Sequence, residues 1–200
     1  HYTENSGRLA LAISAEICSA TWFPAPETDI EYLVSSAIFS DGASAALVGG
    51  SDDPRFPAIV DYESRFDPKL LDLLGYEWKL GRLKVVLSVR VPEVVPPIMR
   101  ETIDTLLERN NLSRGDIKYW ILHPGGKTVL ENMQKELGLQ RNQVFWSWEV
   151  LRRFGNMSSA TIGVIAKLFY ESEQPIEGYA LVGTMGAGAA VNCSLLRWGE

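Results

Sequence analysis

The sequence has few of the residues that metal, redox and nucleic-acid chemistry use. Its 200 residues include two histidines and two cysteines, and Cys18 and Cys193 form no CxxC pair, so neither a His-rich metal site nor a disulfide framework is predicted. No basic run offsets the excess of 25 acidic over 19 basic residues, which argues against nucleic acid as a partner. No stretch approaches the ~20 consecutive apolar residues of a membrane span. We therefore expect a cytoplasmic protein without a metal, membrane or nucleic-acid partner.

The residues that are present alternate between strand and helix patterns. A near-continuous apolar run at 8–17 predicts a strand buried on both faces, and the prolines and acidic residues of 24–33 predict a surface loop. A strand of small residues ends at Gly49-Gly50, and further strands are predicted at 58–62, 83–91, 117–122, 144–148, 179–184 and 191–198. Apolar residues at helical spacing predict helices at 94–107, 127–137 and 158–171, with a short one near 69–74. This alternation predicts an α/β fold with layered sheets.

The first seven residues are a polar segment that ends in Gly7 and leads directly into the apolar strand. Such a segment is typical of the end of a helix and its following loop. We therefore expect this chain to be part of a longer protein.

His123 is the first candidate for chemistry. It follows the predicted strand 117–122 and precedes Pro-Gly-Gly and a helix, and strand ends are where α/β proteins place reactive groups. The alternative is an ordinary loop histidine. The neighbouring Gly-Gly-Lys-Thr resembles a phosphate-binding loop only superficially, because Ile121 stands where that motif needs a glycine.

Asn156 is the second candidate. It lies between Gly155 and a predicted helix start, where it could simply be an N-cap, but Ser158 and Ser159 already supply that start. We therefore expect its side chain to be free for another role. A His and an Asn that converge on one oxygen would stabilise a developing enolate or oxyanion. The Gly-rich segment 183–188, between two predicted strands, is either a tight hairpin or a wall of such a site.

These motifs, in this order and spacing, resemble the type III polyketide synthases, which are the chalcone and stilbene synthase family. The similarity lies in His-Pro-Gly-Gly at 123–126, Gly-Asn-Met-Ser-Ser at 155–159, Asp-Gly-Ala at 41–43 and the Gly-rich segment, and it extends over essentially the whole chain. The resemblance implies the thiolase-like fold, an α/β fold layered α-β-α-β-α. Residues 1–55 would then end the N-terminal half, and residues 56–200 would form the C-terminal half.

The resemblance also implies an activity. In this family a Cys nucleophile carries the acyl chain, while His and Asn bind malonyl-CoA and stabilise the enolate formed on decarboxylation. His123 and Asn156 match that pair, and His123 would also help hold the Cys as a thiolate. The substrates would be malonyl-CoA and an acyl-CoA starter, with no cofactor beyond these CoA thioesters. The nucleophilic Cys is expected upstream of residues 15–17, so the implied partners are the upstream half of the same synthase and a second copy in a homodimer.

Ten further positions match the family's substrate-binding residues. Phe39 matches the aromatic gatekeeper between the CoA tunnel and the cavity, whereas Val85 stands where plant members usually carry a second gatekeeper Phe. The segment Thr-Met-Gly-Ala-Gly at 184–188 keeps the glycines but not the Phe and Pro of the family's Gly-Phe-Gly-Pro-Gly pattern. The full set is Cys18, Thr21, Ser35, Phe39, Val85, Gly125, Gly126, Ser158, Gly186 and Gly188.

Two alternatives remain open at this point. A ketoacyl-carrier-protein synthase would need a basic patch to dock an acidic carrier, and none is evident in the sequence. A non-catalytic partner subunit of a condensing enzyme would have no physical need for both His123 and Asn156.

Overall fold

The computed structural model describes residues 8–22, 30–51, 53–79, 81–172 and 176–199, and all that follows concerns these residues. The strands are β1 (Ala10–Glu16), β2 (Gly42–Val48), β3 (Ala58–Arg65), β4 (Leu74–Lys79), β5 (Arg82–Leu87), β6 (Ile117–Leu122), β7 (Gly178–Gly186) and β8 (Ala190–Trp198). The α-helices are α1 (Ile30–Ile38), α2 (Val91–Arg109), α3 (Lys127–Leu137), α4 (Phe145–Phe154) and α5 (Ala160–Ser172). Strands and helices alternate over most of the chain, which confirms the α/β prediction.

The largest sheet has the strand order β3-β8-β7-β6, in which β6 runs parallel to β7 and the other pairs are antiparallel. Helices α2 and α3 cover one face, where Trp120 and Leu122 of β6 join the core. Helices α4 and α5 cover the other face, against which Ile121 packs. Because successive residues of a strand point to opposite faces, β6 is buried on both sides. The loop that carries His123 follows directly at its carboxyl end.

Helix α2 contains three prolines in its first two turns, Pro92, Pro96 and Pro97, which leaves a main-chain carbonyl there without its usual helical partner. Pro96 has no N–H to donate to the carbonyl of Pro92, four residues earlier. The amide of Asn132 in α3 donates to that carbonyl instead, at 2.8 Å. This hydrogen bond ties the start of α2 to the middle of α3, and α3 begins directly after the His123 loop.

Helix α5 lies between two sheets, because its other side packs on the antiparallel pair β1–β2. The contact is close: a Cβ on Gly163 would lie within 2.3 Å of the Ser44 Oγ. The described layers are therefore α2 and α3, the four-stranded sheet, α4 and α5, and the β1–β2 pair.

Several predicted elements are confirmed with their bounds. The strand at 117–122 is β6 and the helix at 127–137 is α3, both without a shift. The helical spacing at 94–107 lies inside α2, and the helix at 158–171 corresponds to α5. The closing strands are β7 and β8, joined by a tight turn at Ala187–Ala189.

The prediction that residues 8–17 form a strand buried on both faces is wrong. Strand β1 forms there, but Leu11 is 60% and Ile13 is 67% exposed. Both point away from the side that packs on α5, and within the described residues nothing covers that outer face. An apolar run indicates that a strand packs against other residues, but it does not show whether those residues belong to this chain.

Other predicted elements also need correction. Residues 144–148 belong to a turn and to α4, not to a strand, because aromatic and β-branched residues there raised the strand propensity of a helical segment. The predicted strand 83–91 ends at Leu87, and strand β4 was not predicted. Residues 30–33 are helical, not loop, whereas the rest of the predicted loop and the opening segment 1–7 lie outside the described residues.

Two further points bear on the predictions. None of the described helices combines the length and the apolar character that crossing a bilayer requires. The division of the chain at residue 55 stays a prediction.

Candidate active site

The main chain fixes His123 at the end of the four-stranded sheet. Its N–H donates to the Gly183 carbonyl at 2.8 Å, which extends the β6–β7 pairing by one residue. The chain then turns tightly, with the Gly126 N–H donating to the Pro124 carbonyl at 2.6 Å. Gly125, at φ +65°, adopts the left-handed conformation that disfavours other residues. The two glycines thus let the strand end pass directly into α3.

The imidazole of His123 is held neutral. Its residue is only 7% exposed, and this burial lowers its pKa from 6.5 to about 4. No described residue hydrogen-bonds the ring, so at neutral pH one ring nitrogen carries a hydrogen that it can donate to a ligand.

The main chain of Asn156 is bridged to the segment after α1. Its N–H donates to the Ile38 carbonyl and its carbonyl accepts from the Ser40 N–H, both at 2.8 Å. Gly155, at φ +76°, makes this approach possible, since a Cβ there would lie 3.1 Å from the Ile38 carbonyl oxygen. Asn156 is therefore fixed beside Phe39 before its side chain makes any contact.

The prediction that the Asn156 side chain is free of a local role is wrong in part. Its Oδ1 accepts from the Ser158 N–H at 2.9 Å, a turn that sets the start of α5. Its Nδ2 donates one hydrogen to the Gly125 carbonyl at 2.8 Å. The second Nδ2 hydrogen has no partner among the described residues. The amide is thus oriented from two sides and keeps one N–H for a ligand.

His123 and Asn156 line one cavity of about 530 Å³. Six of the predicted substrate-binding residues line it too: Phe39, Val85, Gly125, Gly126, Ser158 and Gly186. A second cavity of about 270 Å³ is lined by Cys18, Thr21 and Ser35, and again by Phe39 and Val85. The structure therefore places Phe39 and Val85 on the wall shared by both cavities.

The tenth predicted substrate-binding residue is Gly188. It lines neither cavity and is buried, and a Cβ on it would lie 2.9 Å from the Phe66 ring and 3.3 Å from Leu71. Its φ of +72° shows that the turn between β7 and β8 requires a glycine here. The structure gives Gly188 a packing role in this turn, and its substrate-binding role stays a prediction.

Two carboxylates beside the site were not predicted. Asp41 accepts from the N–H and the hydroxyl of Ser19, at 2.8 and 2.7 Å, which lowers its pKa and fixes the turn that carries Cys18. Glu16 lines the larger cavity and accepts from the Ser159 hydroxyl, across 143 positions of sequence. The Asp-Gly-Ala motif could have indicated Asp41. The contact of Glu16 joins segments 143 positions apart, so no local sequence pattern predicts it.

Met185 and Tyr76 also line the larger cavity and were not predicted. Met185 lies in the Gly-rich segment 183–188, of which only glycines were predicted to bind substrate. Tyr76 lies on β4, the strand that the sequence pattern did not reveal.

The two cysteines lie in different surroundings. Cys18 is half-buried at the smaller cavity, where burial and then the carboxylates Glu16 and Asp41 raise its pKa. Cys193 is buried in β8 beside Met99, and burial raises its pKa to about 12. Neither environment favours a thiolate. Among the described residues, no group of three or more His, Cys, Asp or Glu side chains is placed to hold a metal ion.

The sequence of this chain is similar to those of known proteins. A family model described as chalcone and stilbene synthases, C-terminal domain, matches residues 76–192. A 3,5-dihydroxyphenylacetyl-CoA synthase of Streptomyces toyocaensis is 31% identical over 201 residues, which cover 96% of this chain and 51% of the relative. A 1,3,6,8-tetrahydroxynaphthalene synthase of Streptomyces peucetius subsp. caesius is 31% identical over 196 residues, which cover 94% of this chain and 51% of the relative.

Solved structures show the same relationship. The crystal structure of PKS-I from the brown alga Ectocarpus siliculosus matches with a TM-score of 0.85 at 28% identity, over 98% of this chain and 54% of that one. This similarity confirms the predicted thiolase-like fold, of which the chain covers the C-terminal half. The chain spans about half the length of the relatives that it matches.

Proposed function

Because this chain belongs to the chalcone and stilbene synthase family, we propose that it forms part of a type III polyketide synthase. The complete enzyme would condense malonyl-CoA with an acyl-CoA starter, using the upstream half of the same synthase, and would act as a cytoplasmic homodimer without a further cofactor. The observation that carries this proposal is the pair His123 and Asn156. They come from distant segments, line one cavity and each keep an N–H for a ligand.

In the proposed reaction, these two side chains hold the thioester oxygen of malonyl-CoA. The bond between the malonyl carboxylate and the adjacent carbon breaks, carbon dioxide leaves, and the bonding electrons pass into an enolate on the thioester oxygen. The imidazole N–H of His123 and the second amide N–H of Asn156 donate to that oxygen. Because burial lowers the pKa of His123 to about 4, the imidazole is neutral at neutral pH and offers one N–H as a hydrogen-bond donor.

The enolate carbon then attacks the acyl thioester on the nucleophilic Cys, whose thiolate leaves. We assign this Cys to the segment upstream of residues 15–17. The raised pKa values of Cys18 and Cys193 support the assignment, because a thiol that resists ionisation is a poor nucleophile.

Variants of the complete synthase test the oxyanion pair. Replacing His123 or Asn156 by Ala should reduce malonyl-CoA decarboxylation by roughly 10²–10³-fold for each lost donor. Asn142→Ala is a matched control, because Asn142 is exposed and lines neither cavity. Near-wild-type decarboxylation in both cavity variants would contradict the proposal. Activity with malonyl-carrier protein but not with malonyl-CoA would favour a carrier-dependent condensing enzyme.

Val85 offers a test of the passage between the cavities. Val85→Phe adds a ring to the wall shared by both cavities and should change the product length or the preferred starter. Leu83→Phe is the control, since Leu83 lies on the same face of β5 but lines neither cavity. An unchanged product profile in Val85→Phe would mean that position 85 does not line the passage.

A further inference from the structure

We propose that Met185 is a positioning residue for Asn156 and acts through the main chain of Gly125. The inference rests on the proposed role of Asn156 as an oxyanion donor. Met185 makes no hydrogen bond to either proposed donor among the described residues. It would orient the Asn156 amide through the space that its side chain fills beside Gly125.

The first step is the orientation of the Asn156 amide. Its Nδ2 has one long-range partner, the carbonyl of Gly125, at 2.8 Å. The position of that carbonyl therefore decides where the second Nδ2 hydrogen points. A rotation or shift of the Gly125 peptide would carry the amide with it or break the hydrogen bond.

The second step is what holds the Gly125 peptide. The flanking residues are fixed by main-chain hydrogen bonds, His123 to Gly183 and Gly126 to Pro124. Gly125 itself has no side chain and lies at φ +65°, a conformation that glycine leaves and enters easily. Among the described residues, its one hydrogen bond is the one from Asn156. A second restraint has to come from packing.

Met185 supplies that packing. Its terminal methyl lies only 2.4 Å from where a Cβ on Gly125 would be, and its sulfur lies 3.5 Å from the same point. A methyl of Val129 lies 3.3 Å from the same point. The methyl of Met185 thus occupies the space of the missing side chain. The unbranched, flexible thioether of a methionine can adapt to such an irregular gap.

Strand β7 keeps Met185 in place. Met185 pairs with Val191 of β8 and packs against the same core as α2 and α3, while Gly183, two residues earlier, accepts the hydrogen bond from His123. Strand β7 therefore contacts both parts of the proposed oxyanion site, His123 through the main-chain carbonyl of Gly183 and Asn156 through the Met185 side chain and Gly125.

Kinetics of the complete synthase test the proposal. Met185→Ala should lower the kcat of malonyl-CoA decarboxylation about tenfold and change KM less than about threefold, because a displaced donor impairs the transition state more than binding. Met185→Leu, which fills most of the same space, should recover kcat to within about threefold of wild type. Ile98→Ala is the control: Ile98 is half-buried on the same core, and it lines neither cavity.

A double-mutant comparison shows whether the effect passes through Asn156. In an Asn156→Ala background, Met185→Ala should lower kcat no further. An independent tenfold loss in that background would overturn the proposal, and so would equal losses in Met185→Ala and Ile98→Ala.

A crystal structure of Met185→Ala gives a readout that does not depend on activity. The Asn156 Nδ2 to Gly125 oxygen distance should exceed hydrogen-bond range or the amide should rotate. An unchanged arrangement would overturn the proposal. If Asn156→Ala itself decarboxylates malonyl-CoA normally, the proposed function fails, while the crystal structure still decides whether Met185 orients the amide.

Discussion

The four-stranded sheet and the β1–β2 pair carry similar apolar patterns but have opposite surroundings. Leu181 and Leu195, in β7 and β8, are fully buried in the core that the sheet forms with α2 and α3. Leu11 and Ile13, in β1, are more than half exposed, because helix α5 covers only the other side of their sheet. The four-stranded sheet is thus covered on both faces by helices of this chain, whereas the β1–β2 pair is covered on one face only. In the complete synthase proposed above, we expect the segments beyond these 200 residues to cover the outer face of β1.

The largest expected effect is on stability, and it compares these two regions directly. In the 200-residue chain, Leu195→Ala should lower the free energy of unfolding by about 2–5 kcal/mol, because it opens a cavity in a closed core. Leu11→Ala should cost less than about 0.5 kcal/mol there, since its side chain is already in water. Urea unfolding measures both. In the complete protein, the cost of Leu11→Ala should rise to about 2 kcal/mol or more. An equally small cost in both proteins would show that the outer face of β1 is never covered.

The second effect follows from the burial of His123 at the end of β6. An unfolded histidine binds a proton below its usual pKa of 6.5, whereas folded His123 stays neutral down to about pH 4. Within that window the unfolded state binds more protons, so stability falls as the pH falls and is unaffected above pH 6.5. The loss attributable to His123 should reach about 3 kcal/mol.

Urea unfolding between pH 7 and pH 4.5 measures this loss against His123→Gln, which does not titrate. The wild-type protein should lose more stability than the variant on acidification, because the carboxylates contribute equally to both. Parallel curves would mean that His123 is solvated in the folded protein and that its pKa is not lowered.

The comparison of the two regions also explains how far the sequence could predict the structure. Elements of the closed core, such as β6 and α3, have patterns that their own neighbours satisfy, and their bounds were predicted without a shift. Strand β1 was predicted to exist, but not its exposed face, because burial depends on what covers it. The strand prediction for residues 144–148 was wrong for a different reason. Local propensity favours a strand there, but the segment packs as part of helix α4 against α5 and β6.

The candidate site shows the same limits. His123 and Asn156 stand in motifs that a sequence displays, and the structure places both at one cavity. The hydrogen bond from Asn156 to Gly125 and the contact of Met185 with Gly125 join residues 31 and 60 positions apart. Such contacts depend on the fold as a whole, and no local spacing encodes them.

The cysteines provide a third test of the difference between the regions. Cys193 lies in the closed core and Cys18 at the half-covered side. In the folded chain at pH 8, an uncharged maleimide should label Cys18 at least about a hundredfold faster than Cys193, which becomes accessible only on unfolding. Mass spectrometry of the digested protein measures both rates, with Cys18→Ser and Cys193→Ser to assign the peptides. Similar rates would show that β8 opens as readily as the turn that carries Cys18.

The smallest expected effect concerns the catalytic role of Cys18 in the complete synthase. Cys18 lines the smaller cavity, but burial and the nearby Glu16 and Asp41 raise its pKa, so few molecules carry the thiolate that acyl transfer needs. Cys18→Ala should therefore leave acyl loading from a starter CoA unchanged and alter turnover by about twofold or less, through the changed shape of the cavity wall. Intact-mass spectrometry after incubation with the starter measures the loading. Cys193→Ala is the matched control, since it removes the second cysteine of the 200-residue chain from a position that lines neither cavity. Loss of the acyl adduct in Cys18→Ala alone would identify Cys18 as the nucleophile, and the half-covered region would then carry the covalent chemistry now assigned to the upstream segment.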